Sequence, residues 1–98
     1  MFARFTIIHT YTDKIDEAAR LFNESVVPAF KTQKGFNVAY FISNREEGKS
    51  ICISIWDSEE DAVNNEKSLA YEEQLVKFMG LFTEPPYREG YEVIVQGE

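Results

Sequence analysis

Histidine, cysteine and tryptophan occur once each in this chain, at His9, Cys52 and Trp56. One histidine and one cysteine are too few for a transition-metal site within a single subunit, which needs several such ligands in fixed geometry. A lone cysteine also excludes an internal disulfide, and at mid-strand it reads as a small buried hydrophobe. Glu59, Glu60 and Asp61 are consecutive, so they cannot all converge on one ion and read as the acidic first turn of a helix. No metal and no cofactor is expected. No glycine-rich phosphate loop, dinucleotide fingerprint or nucleophile elbow is present. Basic residues are in deficit, 10 Lys and Arg against 17 Asp and Glu, for a net charge of −7. Phosphate backbones are bound by basic patches, so nucleic acid is excluded as a partner. No apolar run approaches the roughly 20 residues of a membrane span, and the opening Met1-Phe2-Ala3-Arg4-Phe5 reads as strand, not as a signal peptide. A cytoplasmic protein with no membrane partner is the expectation.

What is present is one domain's worth of chain, residues 1–98, 44% hydrophobic and 14% aromatic. That supports a packed but small core, and association is a common way for so short a chain to gain buried area. Residues 2–11 are rich in aromatic and β-branched types and read as a first strand. Thr12-Asp13 offers a helix N-cap. Ile15, Ala18, Ala19, Phe22, Val26 and Phe30 follow at helical spacing, and Pro28 should interrupt that helix near Val26-Val27. Gly35 ends it. Residues 36–43 alternate as a strand, 44–49 form a polar hairpin connection with Gly48 suited to a positive φ, and Ser50 to Trp56 form the next strand. Ser58 caps a short helix running to about Lys67, and Ser68 caps a second, with Tyr71, Leu75, Phe78 and Phe82 as its stripe. Pro85-Pro86 stops it, and Tyr91 to Gln96 reads as the last strand.

The order β-α-β-β-α-β is the ferredoxin-like arrangement: an α+β fold with a four-stranded antiparallel sheet and helices on one face. The third strand shows isoleucine alone on one side, at Ile51, Ile53 and Ile55, and Cys52, Ser54 and Trp56 on the other. Neither is a solvent face, and the helices are too few to cover both. A second copy of the chain is the expected lid, giving a homodimer through the sheet. The helix-free face is expected to carry some of Thr6, Ala39, Phe41, Cys52, Ser54, Trp56 and Ile94, depending on register.

At this level of detail the chain resembles the dimeric α+β barrel superfamily and, within it, the antibiotic biosynthesis monooxygenase family. Pro28 ahead of Gly35-Phe36, the Trp56-Asp57-Ser58 step followed by Ala62, the helix restart Ser68-Leu69-Ala70-Tyr71 and the short apolar closing strand carry the likeness, from about Phe2 to Gln96. The resemblance implies a homodimer whose sheets close into a barrel. Each subunit would keep a pocket between sheet and helices for a small aromatic or quinol-type ligand, oxidised without metal or flavin. The haem-degrading branch uses a histidine on the last helix, whereas Ser68 to Phe82 has none and Leu75 stands about where it would be expected.

The resemblance and the residue types together nominate site residues. Trp56 would wall an aromatic ligand and Tyr71 and Asn65 would line the pocket. His9, whose ordinary pKa suits a general base, would abstract a proton. Each also has a plainer reading: Trp56 and Tyr71 as core, Asn65 as a surface amide, His9 as a structural histidine. A non-catalytic small-ligand-binding or stress-related homodimer uses the same pocket without turnover, and a purely structural dimer fills it with its own side chains.

Overall fold

A computed structural model describes all residues, 1–98. Four strands form one antiparallel sheet in the order β2-β3-β1-β4, with β1 Phe2–His9, β2 Phe36–Asn44, β3 Lys49–Trp56 and β4 Tyr87–Glu92. Helices α1 Ile15–Leu21 and α2 Val27–Lys31 join β1 to β2, and α3 Glu59–Glu66 and α4 Leu69–Phe78 join β3 to β4. This is the expected ferredoxin-like α+β arrangement. No helix is long and apolar enough to cross a membrane.

Local chemistry accounts for most boundaries. The first helical run widens to a π turn over Phe22–Val26, where the Val27 N–H reaches back to the Phe22 carbonyl. Pro28 sits in the first turn of α2 and has no N–H to return one turn back, so the wider turn ahead of it absorbs the interruption. Ser58 and Ser68 cap as expected: their hydroxyls accept from the Asp61 and Tyr71 N–H groups, each at 3.1 Å. Gly48 has φ +68°, and a Cβ there would lie 2.5 Å from the Thr10 carbonyl oxygen. The expected cap at Thr12-Asp13 does not form. Thr12–Lys14 is a 3-10 turn without a capping side chain.

Both ends of the sheet differ from expectation. β1 begins at Phe2, which pairs with Glu92, and the Val93 N–H donates to the Met1 carbonyl at 3.0 Å. The ladder between β1 and β4 runs no further than this. The closing strand is therefore Tyr87–Glu92 and not Tyr91 to Gln96, and Ile94 and Val95 lie 77% and 82% exposed outside it. At the other end β1 stops at His9, and Thr10 makes only an isolated bridge to Phe82.

The two sheet faces are also assigned differently from expectation. The helices cover the side carrying Thr6, Ala39, Phe41, Cys52, Ser54 and Trp56, and it is the isoleucine side that faces away from them. Ile8, Ala18, Phe22, Val26, Phe78 and Leu81 form the main core cluster, with Ala39, Phe41 and Cys52 packed against it. Phe2, Trp56 and Ala62 form a second, flanked by Phe30 and Phe36. The helix-free face carries Ile51, Ile53 and Ile55 from β3, and in register with them Phe5 and Ile7 from β1 and Tyr40 and Ile42 from β2. Tyr87 and Tyr91 of β4 share that face, with the Phe5 and Tyr91 rings 5.5 Å apart. Its charged groups lie at the margins: His9 and Lys49 at one end, Glu89 on an edge strand.

Candidate functional site

The helix-covered side of the sheet is not filled solid. A cavity of about 70 Å³ lies between β1 and β3 below and the π turn, α2, α3 and α4 above. Its walls are mostly apolar, built by Ile8, Phe22, Val26, Phe30, Phe78 and Phe82. Its polar groups are few: Thr6, Cys52, Asn65, Tyr71 and Gln74. A benzene-sized guest fills a cavity of about 150 Å³, so a ring enters only if side chains at the mouth give way. Leu75, on the exposed side of α4, and Gln74 are placed to do so. Gln74 is tied across the mouth to the π turn: Ser25 Oγ donates to Gln74 Oε1 at 2.5 Å, and Lys77 Nζ donates to Ser25 Oγ at 2.7 Å.

Asn65 and Tyr71 are brought together by the break between α3 and α4. The Ser68 hydroxyl donates to the Asn65 carbonyl at 2.6 Å and accepts from the Tyr71 N–H at 3.1 Å. One side chain thus ends the first helix, starts the second and sets both residues on the cavity wall. Asn65 is only 6% exposed, and its side-chain amide makes no hydrogen bond to the rest of the chain. Facing the cavity, the amide is free to bond to a polar ligand atom there. Tyr71 Oη accepts from Arg88 Nη1 at 3.3 Å, and that guanidinium lies 5.5 Å from the centre of the Tyr71 ring. Arg88 also approaches Glu66 at 3.4 Å, whose other oxygen pairs with Arg4 Nε. Two guanidiniums and one carboxylate leave a net positive group behind the tyrosine. Burial pushes the Tyr71 hydroxyl above its ordinary pKa, with Arg88 pulling the other way, so at neutral pH it is a hydrogen-bond donor. Burial also pushes the Cys52 thiol up to about 12, which keeps it protonated and poorly nucleophilic.

The other two nominated residues lie elsewhere. Trp56 is 1% exposed and packs against Phe30 and Phe36, with ring centroids 5.7 and 5.5 Å away. Its Nε1–H donates to Ser54 Oγ at 2.8 Å. It supports Phe30 from behind and does not itself reach the cavity. His9 lies on the opposite face of the sheet, with Nδ1 2.7 Å from Glu84 Oε1. Strand alternation puts Ile8 on the cavity and therefore His9 away from it. The sequence reading missed Thr6 and Gln74. The signal for Thr6 was its pairing with Cys52, which depends on register. Gln74 had none, since it falls beside the apolar stripe of α4.

No protein-family model matches this chain, and no curated protein matches it either. Solved structures do. A presumptive antibiotic biosynthesis monooxygenase from Bordetella bronchiseptica superposes with a TM-score of 0.83 at 14% identity, over 96% of this chain and 97% of that one. One from Deinococcus radiodurans gives 0.81 at 10% identity, over 100% and 97%. A protein of unknown function from Nitrosomonas europaea gives 0.79 at 12% identity, over 99% and 92%. The chain therefore has the fold of the antibiotic biosynthesis monooxygenase-like proteins. At these identities the likeness concerns the fold alone.

Proposed function

We propose that this chain is a cofactor-independent, monooxygenase-like protein that binds a small aromatic or quinol-type molecule in the cavity between sheet and helices and works as a homodimer in the cytoplasm. The observation that carries the reading is the Asn65 amide, set on a mostly apolar cavity wall with no hydrogen bond to the rest of the chain. A flat apolar ligand fills such walls, and one ring oxygen meets the amide. The Tyr71 hydroxyl, backed by Arg88, meets a second oxygen or the same one as it becomes an anion.

The chemistry asks little of the protein. A hydroquinone anion supplies the electrons itself. One atom of O₂ enters the ring, the other leaves as water, and the organic product is a hydroxyquinone. All four electrons come from the substrate. The protein's part is to hold the ring, favour the anion with Asn65, Tyr71 and the Arg88 charge, and keep the reacting carbon dry. No side chain that titrates near neutrality lines the cavity, so the phenolic proton leaves to solvent through the mouth, and His9 has no part in this step. The absence of such a base favours the second reading, a small-ligand-binding homodimer without turnover.

Two observations support pairing through the sheet. The helix-free face is apolar across all four strands, and its charges are confined to the margins. Faces of this kind are covered by a partner.

Oxygen uptake with a panel of substituted hydroquinones separates the readings. Wild-type protein should consume oxygen, and Asn65→Leu, which keeps volume and removes the amide, should lower kcat/KM by about tenfold to a hundredfold, the worth of one buried hydrogen bond. Ligand binding without uptake would establish the non-catalytic reading. Uptake that Asn65→Leu leaves untouched would contradict the site.

A further inference from the structure

Two hydrogen-bond chains reach the cavity from opposite flanks of the sheet, and each begins at a cation. On one flank Arg88, on the edge strand β4, donates to Tyr71 Oη. A lone pair of that oxygen is engaged, and its own proton is left for the cavity. The other flank is the π turn, whose Phe22 ring lies 5.5 Å from Phe41 on the opposite edge strand, β2. There Lys77 Nζ donates to Ser25 Oγ at 2.7 Å, and Ser25 Oγ donates to Gln74 Oε1 at 2.5 Å. An ammonium can only donate, so Ser25 accepts from it and gives its own proton to Gln74. The direction of this chain fixes the amide. Its carbonyl oxygen is engaged outward, and its Nε2–H groups are what Gln74 has left to offer the cavity it lines.

The cation behind Gln74 is not neutralised locally. Lys77 has no carboxylate within ion-pair distance, and neither Glu24 beside Ser25 nor Glu73 beside Gln74 pairs with it. Of the two side chains at the mouth only Gln74 is tied, so Leu75 is the one that yields to a guest and the amide stays as the rim. We propose that Gln74, held by Lys77 through Ser25, is a specificity-determining residue that donates to an oxygen at one end of the ligand while Tyr71 donates to an oxygen at the other. The ligand class this selects is an aromatic ring with an acceptor oxygen at each end: a quinone, or a phenolate with a para carbonyl or nitro group. The neutral phenol is disfavoured, because its hydroxyl proton meets donors at both ends. This rests on the ligand-binding reading of the cavity above and names the form of ligand it holds. Gln74 touches the ligand, whereas Lys77 is a positioning residue that acts through it.

Para-nitrophenol is the probe, since it carries an acceptor at each end and its neutral and ionised forms absorb at different wavelengths. Absorbance titrations with the full chain, at pH values on both sides of the free phenol's pKa, give the affinity of each form. The anion should bind about tenfold tighter than the neutral form or more, the worth of a hydrogen bond to a charged oxygen. Gln74→Leu should weaken the anion by about tenfold and leave the neutral form within about twofold. Lys77→Met should weaken the anion in the wild-type background and add nothing in the Gln74→Leu background. Lys77→Arg, which keeps a cationic donor, should restore it. Lys77 is exposed and Gln74 half-buried, so these variants keep the fold. Binding without preference for the anion, or a preference that Gln74→Leu leaves intact, would overturn the assignment of Gln74 and leave the cavity reading standing. An equal loss from Lys77→Met in both backgrounds would overturn the relay through Ser25. No binding of either form would overturn this inference together with the aromatic-ligand reading on which it rests.

Discussion

The two faces of this sheet meet opposite fates, and the more apolar of them is the one that its own helices leave open. One is pressed against four helices, holds Trp56 and Phe22 at a few per cent exposure or less, and keeps a small cavity with polar groups on its wall. The other has no helix over it: it presents Tyr40 at 54% and Ile42 at 48% on β2, while Ile7 on the central strand is shielded by its neighbours in the sheet. Hydrophobicity alone therefore does not say which side of a sheet faces its own helices. The details that separate the two are small residues and hydroxyls. Ser50 and Ser54 are buried on the helix side, where Ser54 accepts from Trp56 and Ser50 bonds to Ser43. The open side is built of isoleucine and tyrosine, side chains suited to a flat, dry contact.

The comparison breaks most visibly at Trp56. Trp56→Ala should cost about 3–5 kcal/mol in urea denaturation, the loss expected for a large aromatic deleted from a core, whereas Tyr40→Ala should leave the subunit within about 0.5 kcal/mol. Equal losses would mean that the open face is as tightly packed as the covered one. Next in size, Tyr40→Glu places a charge among the exposed apolar residues of β2 on the open face, opposite Ile53. It should convert a dimer to monomers at micromolar concentration while the far-ultraviolet dichroism stays unchanged. An intact dimer would move the contact elsewhere.

A smaller effect sharpens the picture of the covered face. The folded thiol of Cys52 titrates near 12 against an ordinary value of 9.0. Between these values the unfolded chain releases a proton that the folded chain keeps, so this contribution is complete below the lower value and is lost as pH rises toward the upper one. Cys52→Ala should flatten the alkaline decline of stability. A decline of the same slope in the variant would mean that the thiol is not desolvated by the helices.

Much of this was legible before the fold was known, and the exceptions share a cause. Ser58, Ser68, Gly48 and the interruption ahead of Pro28 are governed by contacts within a few residues, and each could be read locally. The order of elements followed from them. The face that the helices cover could not be read, because Ile51 to Trp56 is apolar on both sides and only packing decides. The length of the last strand could not be read either, since Val93 to Gln96 has every local preference for a strand and the ladder with β1 nonetheless stops at Glu92. At the site, Asn65 and Tyr71 were nominated by resemblance and lie together on the cavity, joined by the Ser68 hydroxyl. Trp56, nominated by resemblance, and His9, nominated as the one histidine, lie off it. For His9 the reason is strand parity: with Ile8 on the cavity, the next residue along must face the other way.

The most direct test of the account is the mass of the wild-type chain in solution by light scattering at micromolar concentration. A protein whose isoleucine face needs a second copy should scatter as twice its 11.3 kDa. A particle of 11.3 kDa, stable and unaggregated, would contradict it, because the open face would then be stable in water with nothing to cover it.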